Sequence, residues 1–133
     1  MIKINYLVVV MFIISTNAVF ANEENLSQTY SNCMEKSNGV SVNMLNCDSA
    51  ETAIQDAKLN KAYKELMKEL SPERKKELRS VQRLWIKYID ANCNYYADPD
   101  GGSLASVMAS QCFMDSTTDR ASELEYFLKL FVL

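Results

Sequence analysis

The 133-residue chain has no histidine, only three glycines, two prolines and a single tryptophan. The absence of histidine excludes Ser-His-Asp and Cys-His catalysis, histidine metal ligands and a histidine pH switch. Because glycine and proline dominate tight turns, so few of them predict few such turns, which argues against an all-β fold. The charge is weakly acidic, with 14 basic and 17 acidic residues. Without a basic block, such a chain does not indicate nucleic-acid binding.

The first 21 residues have the features of a secretory signal peptide. Lys3 precedes an uninterrupted apolar run over 7–14, and small or aliphatic residues at the −3 and −1 positions predict cleavage before Asn22. A membrane anchor is the alternative, but spanning a bilayer takes about 20 apolar residues. We therefore predict a periplasmic or secreted protein without a membrane span. Its single mature domain would be 22–133, with 13 basic and 17 acidic residues.

Export makes the cysteine count informative, because an even number of cysteines in an oxidising compartment predicts disulfides. Thirteen residues separate Cys33 from Cys47 and 18 separate Cys93 from Cys112, unlike the CxxC of redox or zinc sites. Three pairings are possible. We favour 33–47 and 93–112, since each closes a short loop flanked by helical patterns and could stabilise the fold by about 3 kcal/mol. No histidine can lower a thiol pKa, so a nucleophilic cysteine is not predicted.

Helical periodicity dominates the mature chain, and no segment shows the alternation of a strand. Helices are predicted over 24–36, ending at Asn38-Gly39, and from a Ser41 cap to Ser71-Pro72. The second helix carries two apolar stripes on nearly opposite faces, Ala50, Ala53, Ile54 and Ala57, then Leu59, Tyr63, Leu66 and Leu70. These stripes predict either a bend near Asp56 or a change of the buried face along the helix.

Ser71-Pro72-Glu73 restarts a third helix, which the short connection should fold back antiparallel on the second as a long α-hairpin. Its predicted core stripe is Leu78, Val81, Trp85, Tyr88, Ile89, Asn92 and Tyr96, with the tryptophan as anchor. A turn over 98–102 ends this helix. A short helix from Ser103 to Cys112 and a last helix capped by Ser116 are predicted to follow. The predicted fold class is all-α, a long antiparallel α-hairpin with shorter flanking helices and two disulfides.

Several motifs follow one another in a recognisable order. The first three are D-x-x-L-N-x-x-Y over Asp56–Tyr63, Q-x-x-W-x-x-Y over Gln82–Tyr88, and D-A-x-C over Asp90–Cys93. They are followed by Gly101-Gly102-Ser103, Cys112, and a tail with Thr118, Arg120 and Glu123-Leu124. From Cys33 to about Leu128, this order resembles the lysozyme inhibitor LprI-like family, specifically its single-domain YecT-like members. One departure is Ile89, where the family usually has arginine. The resemblance implies an all-helical, disulfide-bonded, exported domain with a protein-binding role.

Carboxylates are the remaining candidates for chemistry. Glu65, Glu69, Glu73 and Glu77 alternate with lysines and indicate a solvated helix surface rather than a catalytic pair. The run 98–101, D-P-D-G, matches the middle of an EF-hand loop, but Tyr96 and Val107 would occupy the two obligatory carboxylate positions. We predict no metal and no other cofactor.

The loop at the tip of the hairpin is the predicted partner-binding site, formed by Tyr95, Tyr96, Asp98, Asp100, Gly101 and Gly102. Acids beside aromatic residues on a braced loop suit a basic protein partner such as a lysozyme. We therefore predict an exported, non-enzymatic protein-binding domain, with lysozyme inhibition as its candidate role. The alternative is a cell-envelope structural, stress-related or immunity protein with a different protein partner, which Ile89 favours. A carboxylate-only hydrolase is not predicted, because no cleft is indicated.

Overall fold

The computed structural model describes residues 25–132, which contain four helices and no strand. The helices are α1 (Gln28–Ser37), α2 (Ser41–Glu69), α3 (Pro72–Tyr96) and α4 (Gly102–Val132). The all-helical class is confirmed, and so are both favoured disulfides, Cys33–Cys47 and Cys93–Cys112. The predicted signal peptide and its cleavage site lie outside the described residues. None of the four described helices is long and apolar enough to cross a membrane.

Local sequence signals set most of the helix boundaries. Asn38-Gly39 ends α1 with positive φ angles of 50° and 72°, the conformation that favours Asn and Gly after a helix. Ser71 caps α3, its hydroxyl accepting a hydrogen bond from the backbone N–H of Arg74 at 3.4 Å. The predicted cap Ser41 is wrong by one position. It is the first residue of α2, and the N-cap is Val40, which makes no side-chain cap hydrogen bond.

Helices α2, α3 and α4 form a bundle in which α4 packs against both of the others. The Cys93–Cys112 disulfide and the hydrogen bond from Arg120 to Gln82 join α3 and α4 in opposite chain directions. The backbones of α2 and α3 approach each other much less closely than either approaches α4. The short connection nevertheless folds the chain back as predicted, so that side chains from 59–63 of α2 and 79–86 of α3 border the same pocket. The first disulfide ties α1 to the beginning of α2.

The hydrophobic core lies between the second half of α2 and α4. Its buried members are Leu59, Ala62, Leu66, Leu70, Ala121 and Leu124. Leu124 is completely shielded from solvent. Trp85 packs against this cluster from α3 while remaining partly exposed, so it is a core contact of intermediate burial.

The prediction of two opposite buried stripes on α2 is wrong. One continuous stripe is buried along the whole helix, formed by Asp48, Glu51, Gln55, Leu59, Ala62 and Leu66. The alanines and the isoleucine of the predicted first stripe are exposed, Ile54 by 40%. The apolar pattern was misleading because polar side chains occupy the buried face in the first half of the helix.

The buried face of α3 is also displaced from the predicted one. Val81 and Tyr88 of the predicted stripe are 49% and 63% exposed, whereas Ile89, also part of that stripe, is buried together with Cys93. Gln82 faces inwards and accepts a hydrogen bond from Arg120. A partly buried, hydrogen-bonded glutamine contributes to the inward face of α3 in a way that an apolar pattern does not reveal.

The two predicted C-terminal helices are a single helix, α4, of 31 residues. Ser116 lies in its interior and is not a cap. No glycine or proline interrupts 103–132, and the hydroxyls of Thr117 and Thr118 donate to the carbonyls four residues earlier at 2.7 and 2.9 Å. These polar residues are therefore accommodated without ending the helix.

Candidate functional site

The six predicted binding residues lie together where α3 joins α4, and we refer to 95–102 as the tyrosine loop. Asp98 Oδ1 accepts a hydrogen bond from the backbone N–H of Asp100 at 2.9 Å, and the Asp98 carbonyl accepts from Gly101 at 3.0 Å. Asp98 thus fixes the turn with its own carboxylate. Both acids remain exposed to solvent.

The turn itself requires both glycines of the tyrosine loop. A Cβ on Gly101 would lie 2.7 Å from the Cβ of Ala105, closer than two carbon atoms can approach. Gly102 has a φ of 62°, which side-chain-bearing residues rarely adopt. These two residues allow the chain to enter α4 immediately after the turn.

Two adjacent tyrosines present aromatic surface beside the turn. Tyr95 is 85% exposed and Tyr96 is 41% exposed, with ring centroids 6.3 Å apart and ring planes at 73°. They border an open hollow of about 640 Å³ whose far side includes Leu104 and Met108. The Cys93–Cys112 disulfide joins the helices immediately behind this surface. The loop therefore offers an aromatic surface on a covalently braced support.

Tyr96 and Met108 also border a second hollow, of about 330 Å³, which the sequence analysis did not identify. Its remaining lining is polar and comes from α4, and we call it the acidic hollow: Gln111, Cys112, Asp115, Ser116 and Asp119. Asp115 and Asp119 are four residues apart, so their carboxylates lie on the same face of the helix. The tyrosine loop and the acidic hollow thus form one continuous surface.

A buried acid from α2 lies close to the acidic hollow. Asp48 is fully buried, and its Oδ1 accepts a hydrogen bond from the hydroxyl of Tyr30 at 3.0 Å, whereas its Oδ2 has no partner among the described residues. Burial raises the pKa of the Asp48 carboxyl. Burial, together with the nearby Asp48 carboxylate, also raises the pKa of Tyr30, which keeps that phenol a neutral donor.

The two carboxyls of the acidic hollow are also costly to ionise. Burial raises the pKa of Asp115, and the charges of Asp119 and Asp48 raise it further. Burial raises the pKa of Asp119. Among residues 25–132, the ion pairs are Arg74–Glu77 and Arg120–Glu123, and neither involves these acids. The site therefore concentrates negative charge without an internal cation, which a cationic group from outside would relieve.

Glu51 shows the opposite behaviour, at the junction of α1 and α2. Burial alone would raise its pKa, but hydrogen bonds from Ser27 and Gln55 and the charge of Lys58 outweigh that effect, so the pKa is lowered. The Gln55 side chain also donates to the carbonyl of Asn25 at 3.0 Å. This polar cluster fixes the N-terminal segment to the bundle and is a structural contact.

Comparison with known protein families gives a match over most of the described residues. The family described as Lysozyme inhibitor LprI has a sequence model that matches residues 33–124. The chain belongs to this family. No curated protein and no solved structure matches the chain. The match to the LprI family spans both disulfides, the tyrosine loop and the acidic hollow.

Most of the family-like motif residues stabilise the LprI scaffold. Leu59 is buried in the core, Tyr63 and Trp85 pack against it, and Gln82 is hydrogen-bonded to Arg120. In the tyrosine loop, the glycines of the G-G-S motif fix the turn. The tyrosines and the acids that surround them are not part of the motifs identified in the sequence.

Sequence reasoning missed Asp48, Asp115 and Asp119. Two acids spaced by four residues were a visible signal on α4, but this region was interpreted only as the beginning of a last helix capped by Ser116. Nothing in the sequence distinguishes Asp48 from an exposed acid, since its burial depends on how α1, α2 and α4 meet.

Proposed function

We propose that this LprI-family protein is an exported, non-enzymatic inhibitor that binds a lysozyme through the tyrosine loop and the acidic hollow. The observation that carries the proposal is the juxtaposition of two exposed tyrosines with carboxyls that lack an internal cation. Family membership supports the choice of lysozyme as the partner. The two disulfides suit the oxidising compartment in which such a protein would work.

Charge supports a basic partner. Asp98 and Asp100 lie in the tyrosine loop, and Asp115 and Asp119 lie in the adjacent hollow, so four acids share one surface. A lysine or arginine of the partner entering the acidic hollow would lower the cost of ionising its two carboxyls. Complementary charge also accelerates association through long-range steering.

Aromatic surface supports tight contact once the partners have met. Tyr96 borders both hollows, so it lies at the centre of the proposed interface. Tyrosine is enriched among residues that dominate binding energy, because it buries a large ring at little conformational cost. The disulfide behind the loop limits the flexibility that association would have to remove.

The departure from the family pattern at Ile89 does not alter this surface. Ile89 is buried, with 9% of its surface exposed, on the face of α3 that packs into the bundle. Its effect is on internal packing. The alternative of a different protein partner therefore receives no support from this position.

The direct test measures binding of the oxidised mature protein to an immobilised lysozyme, together with lysis of a bacterial cell suspension by that lysozyme. We expect saturable binding, inhibition of lysis, and an association rate that falls as salt is raised, because salt screens exposed charges. A folded protein that neither binds lysozyme at low salt nor slows lysis would refute the lysozyme proposal.

Variants then locate the contact. Asp115→Asn with Asp119→Asn should lower the association rate by about tenfold, as expected when steering charge is removed. The matched control is Glu65→Gln with Glu69→Gln, which removes two carboxylates at the same spacing from α2. Equal loss of association in both double variants would indicate a general charge effect and contradict the assignment of the acidic hollow.

An aromatic substitution tests the anchor. Tyr96→Ala should mainly accelerate dissociation, by about tenfold or more if the ring is a hot spot. Tyr126→Ala is the control, because Tyr126 is 59% exposed near the other end of α4. Wild-type dissociation from a folded Tyr96→Ala variant would exclude this tyrosine as the anchor.

A further inference from the structure

A separate groove lies at the opposite end of the bundle, where the last turns of α2 and α4 meet the beginning of α3. We call it the terminal groove. It has a volume of about 500 Å³, and its walls are mainly apolar, contributed by Leu70, Leu78, Phe127, Leu130 and Phe131. Leu130 and Phe131 remain 54% and 53% exposed at its rim. The terminal groove shares no residue with the tyrosine loop or the acidic hollow.

A buried arginine with an unused donor lines this groove. Arg120 is only 5% exposed, its Nε donates to Gln82 Oε1 at 2.9 Å, and its Nη1 pairs with Glu123. Its Nη2 is buried and has no hydrogen-bond partner among the described residues. A buried N–H without an acceptor is energetically costly, so such a group calls for an acceptor that the protein itself does not supply.

The other charges of the terminal groove are already neutralised. Arg74 and Glu77 form an ion pair at the exposed rim, and Glu123 forms an ion pair with Nη1 of Arg120. The Glu123 side chain is 49% exposed, so this ion pair lies at the boundary between the buried arginine and solvent. Arg120 therefore keeps one unpaired N–H group, on Nη2, beside the apolar lining of the terminal groove.

We propose that the terminal groove binds a monocarboxylate with an unbranched hydrocarbon chain, a fatty-acid-like amphiphile. The carboxylate would accept from Arg120, since the guanidinium is suited to charge-assisted and bidentate hydrogen bonds with carboxylates. The chain would lie against the leucines and phenylalanines, whose exposed surface it would cover. The volume of the groove falls within the range of pockets that hold small molecules.

Direct titration tests this inference independently of lysozyme binding. The mature protein is titrated calorimetrically with dodecanoate, dodecanol and dodecyltrimethylammonium, each below its micelle concentration. We expect dodecanoate to bind at least about tenfold more tightly than dodecanol, because this difference in affinity corresponds to the free energy of one hydrogen bond to a charged group. The cationic amphiphile should bind most weakly.

Rim variants locate the ligand without disturbing the buried arginine. Phe131→Glu places a negative charge at the open side of the terminal groove and should reduce dodecanoate affinity by about tenfold or more. Leu84→Glu is the matched control, because Leu84 is 64% exposed on α3 and does not line the groove. It should bind dodecanoate as the wild type does.

Three results would overturn the inference. The first is equal affinity for the three amphiphiles, and the second is an equal loss of binding in both variants. The third is the absence of dodecanoate binding. If the wild type is then a dimer that Phe131→Glu dissociates, the terminal groove is a self-association surface.

Discussion

Removing a carboxyl from the acidic hollow should stabilise the fold. Asp115 is held near Asp119 and Asp48 in a partly buried setting, and burial and these two charges raise its pKa above the ordinary value of 3.8. Ionising this carboxyl therefore costs more in the folded state than in the unfolded state. Asp115→Asn keeps the shape of the side chain and removes the charge, so the cost of ionisation disappears.

The expected gain is modest but measurable. Like charges four residues apart on a helix cost a few tenths of a kcal/mol, and the partial burial of the charged carboxylate adds to that cost. Because solvent screens a partly exposed group, we expect a net stabilisation of about 1 kcal/mol. For a domain of this size, that corresponds to a rise in Tm of about 4 °C.

The pH dependence gives the prediction a second readout. A raised pKa means that the folded state binds protons more tightly than the unfolded state, so stability falls as pH rises through the folded-state pKa. The contribution of Asp115, Asp119 and Asp48 should therefore increase stability as pH is lowered from neutrality toward 3.8. Glu51 acts oppositely, because its lowered pKa gives stability above 4.5 that is lost as pH falls through its folded-state pKa.

Thermal unfolding followed by circular dichroism, at several pH values between about 4 and 8, measures both effects. Asp115→Asn should unfold at a higher temperature than the wild type at neutral pH and should show a flatter pH dependence. Glu69→Gln, which changes an exposed acid on α2, serves as the control and should change neither. If Asp115→Asn is less stable at neutral pH, the carboxylate makes a stabilising contact and the reasoning is wrong.

Further substitutions test the core, the turn and the disulfides. Leu124→Ala removes a fully buried side chain and should cost about 2–5 kcal/mol in urea unfolding, whereas Trp85→Ala should cost about 2 kcal/mol because that ring is only partly buried. Gly101→Ala forces a Cβ against Ala105 and should cost about 1–3 kcal/mol in the same assay. Intact-mass analysis of the secreted protein should find Asn22 at the N-terminus and no alkylation without reductant; any added alkyl group contradicts two complete disulfides.

The breaks that end α1, α2 and α3 could be predicted because they depend on neighbouring residues alone, whereas the break predicted before Ser116 does not exist. Asn38-Gly39 adopts positive φ angles after α1, and Ser71 caps α3. The tyrosine loop was located for the same reason, since the glycines that its turn requires are local signals. The disulfide pairing followed from short loops between helical segments.

The orientation of the helices could not be predicted in the same way. The first half of the buried α2 face includes Asp48, Glu51 and Gln55, whose burial depends on hydrogen bonds with residues distant in the sequence. Apolar periodicity assigns such residues to solvent. The same limitation left Gln82 out of the predicted core stripe of α3, although it accepts a hydrogen bond from Arg120 on α4.

By itself, the sequence determined the helical class, the breaks after α1, α2 and α3, the favoured disulfide pairing and the position of the loop, because propensities, caps and short covalent loops act over a few residues. The tertiary structure decided which polar groups are buried, and therefore where charge and unused hydrogen-bonding capacity accumulate. Asp115 is an ordinary helical acid in the sequence, and Arg120 is an ordinary motif residue. Only the packing of α4 against α2 and α3 places the first beside other carboxyls and leaves the second with an unpaired donor.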